Sequence, residues 1–114
     1  MTLNLLSPLD GRYVSAIAPL TNFFSEFAFL RDRVRVELNF LPALSKTGMV
    51  RSLTDSESAQ LESILANFSN TDAELILDYE RKTRHDVKAI EYFIQSKLQD
   101  TSLQDLLPWI HFGL

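Results

Sequence analysis

Apolar residues recur at steps of three and four along residues 25–44, and this periodicity limits the fold more than any other feature of the chain. Such spacing places them on one face of a helix, which must be buried against other parts of the protein. Pro42 is expected to kink or end that helix, because proline lacks an N–H donor and clashes with the preceding turn. The longest helix of the chain is therefore predicted here. Its buried face comprises Phe27, Leu30, Val34, Leu38 and Leu41.

Further helix starts are predicted where a Ser or Thr precedes an acidic residue by three positions, since the two side chains then cap free backbone N–H groups. The pairs are Thr54–Glu57, Thr71–Glu74, Thr83–Asp86 and Ser102–Asp105. A short helix over residues 15–20 is also expected. With only three glycines and four prolines in the sequence, tight turns are scarce and a β-rich fold is disfavoured. The prediction is an all-α fold of five or six helices.

Composition restricts the class of protein. A chain of 114 residues with 46% hydrophobic content is in the size range of one domain, so residues 1–114 are treated as a single unit. The net charge of −4 disfavours nucleic-acid binding through a basic surface. No apolar run approaches the about 20 residues of a membrane span, and the absence of cysteine fits a reducing cytoplasm. We expect a cytoplasmic protein that binds neither membrane nor nucleic acid, with no metal and no cofactor.

The segment Thr83–Asp86 is the strongest candidate for a functional site. If Thr83 and Asp86 cap a helix, then Arg84 and His85 occupy its first turn, where unpaired N–H groups favour anions. His85 is then suited to acid–base chemistry or to hydrogen bonding with a carboxylate or phosphate. The alternative is an exposed helix start in which Asp86 serves only as a cap.

Other candidates lie near the two ends of the sequence. His111 sits in the apolar run 109–114, so it is either a ligand-binding residue or a hydrogen-bonded histidine of the core. Arg12 and Tyr13 follow a turn-forming segment, and their alternative is a surface arginine beside a half-buried tyrosine. The two histidines are too far apart in sequence to share one helix face, which disfavours a metal site. A chain that stops on an apolar run is also expected to be truncated.

Three blocks of the sequence resemble the adenylosuccinate lyases of the fumarase/aspartase superfamily. They are Ser-Pro-Leu-Asp-Gly-Arg-Tyr at 7–13, Thr-Arg-His-Asp-Val-Lys-Ala-Ile-Glu-Tyr-Phe at 83–93, and Ile-His-Phe-Gly-Leu at 110–114. The blocks occur in the order and at about the spacing of that family. The resemblance covers the whole chain but only the N-terminal domain of the family, about its first quarter. It implies a small multi-helix domain truncated before the central helical bundle.

The resemblance also implies a function. Members of this family cleave adenylosuccinate to AMP and fumarate, and succinyl-aminoimidazole-carboxamide ribonucleotide to its carboxamide and fumarate. They act by β-elimination as homotetramers in purine nucleotide biosynthesis. The main acid and base of the reaction, as well as the Thr-Ser-x-Asp segment that follows His111 in the family, fall outside these 114 residues. The chain alone is therefore expected to be inactive.

Site residues are carried over from the matching positions. The resemblance implies that Arg12 and Tyr13 contact the nucleotide and that Arg84, His85 and Asp86 line the substrate pocket. His85 is expected to orient the substrate or assist catalysis. His111 is expected to bind the succinyl part.

Two other interpretations remain open from the residues. One is a free-standing helical module that binds a partner helix through an exposed apolar face. The other is a different lyase of the same superfamily, such as argininosuccinate lyase or fumarase. The blocks at 10–13 and 84–86 favour the adenylosuccinate branch.

Overall fold

The structure, a computed structural model, describes residues 2–114 and consists of helices and connections, with no strand in that range. The α-helices are α1 (Val14–Ile17), α2 (Thr21–Phe24), α3 (Glu26–Thr47), α4 (Asp55–Ala66), α5 (Asn70–Thr83) and α6 (Asp86–Leu98). Two 3₁₀ helices span Ala18–Leu20 and Gln104–Trp109. The predicted all-α fold is confirmed. None of the helices within residues 2–114 combines the length and the hydropathy that crossing a membrane requires.

Helix α3 is the longest element, and α4, α5 and α6 all pack against it. Its buried face carries Leu30, Val34, Leu38 and Leu41, as the spacing predicts. Phe27 is only partly buried, with its ring 5.3 Å from that of Phe68 between centroids. Three helices pack against α3, so burial of its apolar residues stabilises their arrangement around it.

The centre of the core lies on α6, which also packs along α5. Phe93 is fully buried, and its ring meets that of Phe68 edge-on at 5.8 Å between centroids. Ile90, Ile94 and Leu98 complete the buried face of α6.

Pro42 was predicted to kink or end α3, and it does not end it. The helix continues through it to Thr47 and stops at Gly48, whose φ of 83° is left-handed. Leu41 and Leu44 on either side of Pro42 are both buried. Their burial continues the apolar face past the proline, which offsets the one backbone hydrogen bond that is lost.

Of the predicted helix starts, that of α4 is confirmed and that of α5 is displaced. The Thr54–Glu57 capping box is present at α4. The start of α5 is wrong by two residues, because the box is formed by Ser69 and Asp72 in place of Thr71 and Glu74. The Asp72 carboxylate accepts from the Ser69 N–H at 3.0 Å, so α5 already has its reciprocal cap before Thr71.

The N-terminal segment 2–24 contains α1 and α2 but no buried side chain. Its exposed apolar residues include Leu3, Leu6, Phe23 and Phe24. The radius of gyration of 17.1 Å exceeds the about 13 Å expected of a compact domain of this length. The segment therefore lies outside the core that α3, α4, α5 and α6 form.

A charged network centred on Arg51 joins the start of α4 to the segment that contains Ser102 and Asp105. The Arg51 guanidinium donates to both carboxylate oxygens of Asp105 at 2.8 and 2.9 Å and to both of Glu57 at 2.9 Å. Glu57 is only 3% exposed and also accepts from the Thr54 N–H and the Ser102 hydroxyl, each at 2.9 Å. Ser102 and Asp105 thus bind this network and cap no helix, which corrects the predicted Ser102–Asp105 cap. The network holds the 3₁₀ helix before His111 against the start of α4.

These hydrogen bonds, first those from Arg51 and next the one from the Thr54 N–H, lower the pKa of Glu57 from 4.5 to about 2. Because the folded protein holds this carboxylate in its charged form, the network stabilises the fold above the ordinary pKa of Glu57. The stabilisation declines as the pH falls from about 4.5 towards 2.

Replacement of the central aromatic ring tests the core. Phe93→Ala should lower the free energy of unfolding by about 3–5 kcal/mol, because it removes buried apolar area and leaves a cavity. Phe24→Ala is the matched control, since Phe24 is 83% exposed and its loss should change stability by less than about 0.5 kcal/mol. Urea unfolding followed by circular dichroism measures both. Similar losses in the two variants would contradict the assigned core.

The charged network predicts a pH dependence. Stability should fall between pH 4.5 and 2 as Glu57 takes up a proton, because its pKa is lower in the folded than in the unfolded chain. In Glu57→Gln, which has the same shape but no titrating proton, the decline over this interval should be smaller. Urea midpoints measured at half-unit pH steps give both curves. Parallel curves would show that Glu57 is not held as a charged partner of Arg51.

Candidate functional site

The connection between α5 and α6 contains only Arg84 and His85. Thr83 is the last residue of α5, where its hydroxyl donates to the Tyr79 carbonyl at 2.9 Å. Arg84 ends α5 with a left-handed φ of 54°, and Asp86 is the first residue of α6. The predicted Thr83–Asp86 capping box is therefore wrong, because Thr83 still belongs to the preceding helix.

His85 itself caps α6. Its Nδ1 accepts a hydrogen bond from the Lys88 N–H at 3.0 Å, a bond that occupies the lone pair of that nitrogen. In the neutral imidazole the proton must then be on Nε2, because a neutral ring has one donor and one acceptor nitrogen. The His85 side chain is exposed. It can therefore donate from Nε2 to an anionic or carbonyl oxygen of a ligand.

Asp86 is held by a residue of α3. Its carboxylate accepts from the Arg33 guanidinium at 3.0 Å and from the Val87 N–H at 2.9 Å. The hydrogen bond from Arg33 is the main cause that lowers the pKa of Asp86 below its ordinary value. The Arg33 guanidinium also lies 4.1 Å from the centroid of the Phe29 ring, which limits its orientations. Asp86 is thus an ion-pair partner that anchors the start of α6 to α3.

His111 is held by a second residue of α3. The carboxylate of Glu37 accepts from the His111 backbone N–H at 2.9 Å through Oε2, and its Oε1 pairs with the ring Nδ1 of His111. Glu37 is only 6% exposed, so this pairing satisfies a carboxylate that is largely shielded from water. The φ of 64° at His111 is left-handed, a strained backbone state that persists only where surrounding contacts hold it. The contact with Glu37 is one that does so.

Arg33 and Glu37 are four residues apart on α3, so they lie on one face one turn apart. Together they connect the two predicted site segments, since Arg33 pairs with the residue after His85 and Glu37 pairs with His111. A surface depression of about 180 Å³ lies between them. Its lining residues are Arg33, Val36, Glu37, Val87, Ile90, His111 and Leu114. The surface of the depression is mainly apolar, and its charged residues Arg33 and Glu37 are already paired with Asp86 and His111.

His111 lines this depression, whereas the other five predicted site residues do not; His85 and Asp86 directly precede Val87, which does. Arg84 lines a separate one with Leu77, Glu80 and Arg81. Arg12 and Tyr13 are exposed in the N-terminal segment, with the Arg12 guanidinium 5.8 Å from the centroid of the Tyr13 ring. The structure therefore places His111 in one depression with Val87 of α6, but its lining includes none of Arg12, Tyr13, Arg84, His85 and Asp86.

Potential metal ligands are not clustered in the part of the chain that the structure describes. Residues 2–114 contain no group of three or more His, Asp or Glu side chains that could hold a metal ion. The carboxylates nearest the two histidines, those of Asp86 and Glu37, are already bound to protein donors.

Sequence comparison places the chain among known proteins. It is 43% identical over 98% of its length to the adenylosuccinate lyase of Haemophilus influenzae and covers 25% of that protein. It is 38% identical over 97% of its length to the adenylosuccinate lyase of Legionella pneumophila subsp. pneumophila, again covering 25% of it. The adenylosuccinate lyase of Dictyostelium discoideum is also 38% identical, over 98% of this chain and 25% of its own length. No protein-family model matches the chain.

The chain belongs to the adenylosuccinate lyase family. It spans about a quarter of the length of the curated relatives that it matches. Membership of the adenylosuccinate lyase family assigns no role to any single residue. The roles of the six predicted site residues stay predictions: Arg12, Tyr13, Arg84, His85, Asp86 and His111.

The sequence did not indicate a role for Arg33 and Glu37. These two α3 residues line the depression and pair with Asp86 and His111. A signal for Glu37 is present in the sequence, because an acidic residue directly precedes Leu38 on the buried face of α3. An acid beside a buried face needs a partner. That partner lies 74 positions away at His111, which helical periodicity within α3 does not indicate.

Removal of the α3 cation tests the anchor at Asp86. In Arg33→Met the pKa of Asp86 should rise towards its ordinary value of 3.8, because the hydrogen bond that lowers it is lost. Arg35→Met is the matched control, since Arg35 is on the same helix but pairs with Asp32. Titration of the Asp86 carboxyl carbon by NMR measures the shift. An unchanged pKa in Arg33→Met, or the same rise in both variants, would rule out the Arg33–Asp86 pair.

Proposed function

We propose that this chain is the substrate-binding N-terminal part of an adenylosuccinate lyase. The proposed reaction is a β-elimination that releases fumarate. Adenylosuccinate is then converted to AMP, and succinyl-aminoimidazole-carboxamide ribonucleotide is converted to aminoimidazole-carboxamide ribonucleotide. The strongest support is the 43% identity that extends over 98% of the chain to one such enzyme. A purine nucleotide is then the substrate and a homotetramer the working assembly. The cytoplasmic location stays a prediction.

The proposed elimination makes three chemical demands. A base removes a proton from the carbon next to a carboxylate, donors stabilise the aci-carboxylate that forms, and an acid protonates the nitrogen as the C–N bond breaks. The groups on this chain suit binding and charge stabilisation. His85 offers an Nε2–H donor at the start of α6, where the helix dipole also favours negative charge. We propose that His85 orients the substrate or assists, and that other parts of the protein supply the main acid and base.

Positions of the remaining predicted residues limit what the chain does by itself. His111 lines the depression beside α3 together with Val87 of α6, whereas Arg12 and Tyr13 are in the exposed N-terminal segment. We propose that these two residues reach the nucleotide only when the rest of the enzyme covers that segment. The 114-residue chain is therefore expected to be inactive alone.

A free-standing interaction module remains a second candidate, because large apolar side chains of residues 2–24 are exposed. Such a module needs no continuation of the lyase. Sequencing of the gene past Leu114 separates the two proposals, since a Thr-Ser-x-Asp segment with several hundred further residues fits the lyase and an immediate stop codon fits the module.

A chimera tests the proposed activity. In it, this chain replaces the aligned quarter of the Haemophilus influenzae enzyme. The chimera should release fumarate and AMP from adenylosuccinate, measured by chromatography, whereas the 114-residue chain alone should release neither. Turnover by the isolated chain would refute the need for the rest of the enzyme, and a folded but inactive chimera would refute the proposed function.

His85 is tested in the same chimera with two substitutions. His85→Ala removes both the helix cap and the Nε2–H donor. His85→Asn keeps a good capping oxygen and removes the ring with its Nε2–H, since the shorter amide does not reach that position. Both should lower kcat/KM at least about tenfold, because one hydrogen bond to a charged group contributes about 1.5–3 kcal/mol. Only His85→Ala should also lower the thermal midpoint. Full activity in His85→Asn would limit His85 to a capping role.

A further inference from the structure

The two histidines are held by different hydrogen bonds at the same ring nitrogen. The Nδ1 of His85 accepts from a backbone N–H, whereas the Nδ1 of His111 faces a carboxylate oxygen of Glu37. An ionised carboxylate can only accept hydrogen bonds. The neutral ring of His111 must therefore carry its proton on Nδ1, and its Nε2 is left as an acceptor. The two neutral rings are opposite tautomers.

Glu37 holds both the backbone and the ring of His111. One carboxylate oxygen takes the backbone N–H at 2.9 Å and the other takes Nδ1. With both oxygens engaged, the imidazole cannot turn to exchange its two nitrogens without breaking the pairing. The backbone of His111 is fixed as well, in a left-handed conformation that side chains disfavour.

The position of Glu37 on α3 is costly for a residue that only supports the fold. Its neighbours Val34 and Leu38 are buried core residues, and an acid at this depth must be fully paired. An apolar side chain of similar volume there would avoid that cost. Packing alone would favour an apolar residue at position 37, whereas holding His111 requires a hydrogen-bond acceptor such as this carboxylate.

We propose that Glu37 is a positioning residue that fixes His111 as the Nδ1–H tautomer, so that Nε2 accepts a hydrogen bond from an N–H or O–H group of the ligand. This inference rests on the proposed function, for which the ligand is a succinylated nucleotide; the N–H that joins its succinyl part to the rest of the ligand is such a donor, whereas the succinyl carboxylates can only accept.

The tautomers are tested directly in the 114-residue chain by long-range ¹H–¹⁵N NMR of the imidazole rings. The spectra are recorded at a pH where the nitrogen shifts show neutral rings. His111 should show a protonated Nδ1 and an unprotonated Nε2, and His85, the internal control, should show the reverse. A protonated Nε2 in neutral His111 would overturn the proposal, whatever reaction the enzyme catalyses.

Substitution of Glu37 tests its positioning role. In Glu37→Gln, whose side-chain amide can also donate, His111 should lose its single tautomer and show a measurable population of the Nε2–H form. In the chimera with the Haemophilus influenzae enzyme, the same change should lower kcat/KM for adenylosuccinate at least tenfold. Asn39→Gln, on an exposed position of α3, should leave both readouts unchanged.

The two proposals fail in different ways. Expected tautomers in an inactive chimera would support the pairing by Glu37 and refute the proposed function. An active chimera in which Glu37→Gln changes the tautomer but not kcat/KM would refute the positioning role alone. If Glu37→Gln does not fold, the tautomers of the unsubstituted chain still decide whether Glu37 holds His111 as proposed.

Discussion

Burial of one face of α3 is the constraint on which the rest of the structure depends. Helices α4, α5 and α6 all pack on it, so the positions of the loops between them follow from that contact. Because α5 and α6 both pack against α3, the two-residue connection between them also lies next to α3. The same helix carries charged residues beside the buried stripe, which gives the fold fixed points for attaching polar segments.

Arg33 and Glu37 are those fixed points, and each binds a segment that is distant in the sequence. Arg33 pairs with Asp86 and Glu37 with His111. The hydrogen bonds define what each histidine offers, since His85 is left with a donor nitrogen and His111 with an acceptor nitrogen. A second charged group, centred on Arg51, ties the segment before His111 to α4. The depression therefore depends on the Arg33–Asp86 ion pair and on the hydrogen bonds between Glu37 and His111, both placed on a helical core.

Helix content and the buried faces could be predicted from local spacing, because period and capping depend on residues within one or two turns. Leu30, Val34, Leu38 and Leu41 illustrate this. Helix ends were less predictable, since overlapping Ser, Thr and acidic residues offer several caps. At α5 the pair Ser69–Asp72 prevailed over Thr71–Glu74, and Pro42 was overridden by burial on both sides of it.

The residue types and the three resembling blocks indicate the candidate site residues. They do not indicate which residues pair with them, namely Arg33 with Asp86 and Glu37 with His111. Glu37 and His111 are 74 positions apart, and no periodic signal connects residues at that separation. A histidine as a helix cap is also harder to foresee than a threonine, because Ser, Thr, Asp and Asn are the usual caps. The roles of Arg33 and Glu37 needed the folded structure.

The absence of buried side chains in residues 2–24 has a consequence for how a site that includes Arg12 and Tyr13 would assemble. Fixing a backbone costs about 1–2 kcal/mol per residue, and within residues 2–114 this segment buries no side chain of its own to offset that cost. A surface that covers Leu6, Phe23 and Phe24 would supply the missing apolar burial. Nucleotide binding by the N-terminal pair would then be thermodynamically linked to that covering contact, so each event would strengthen the other.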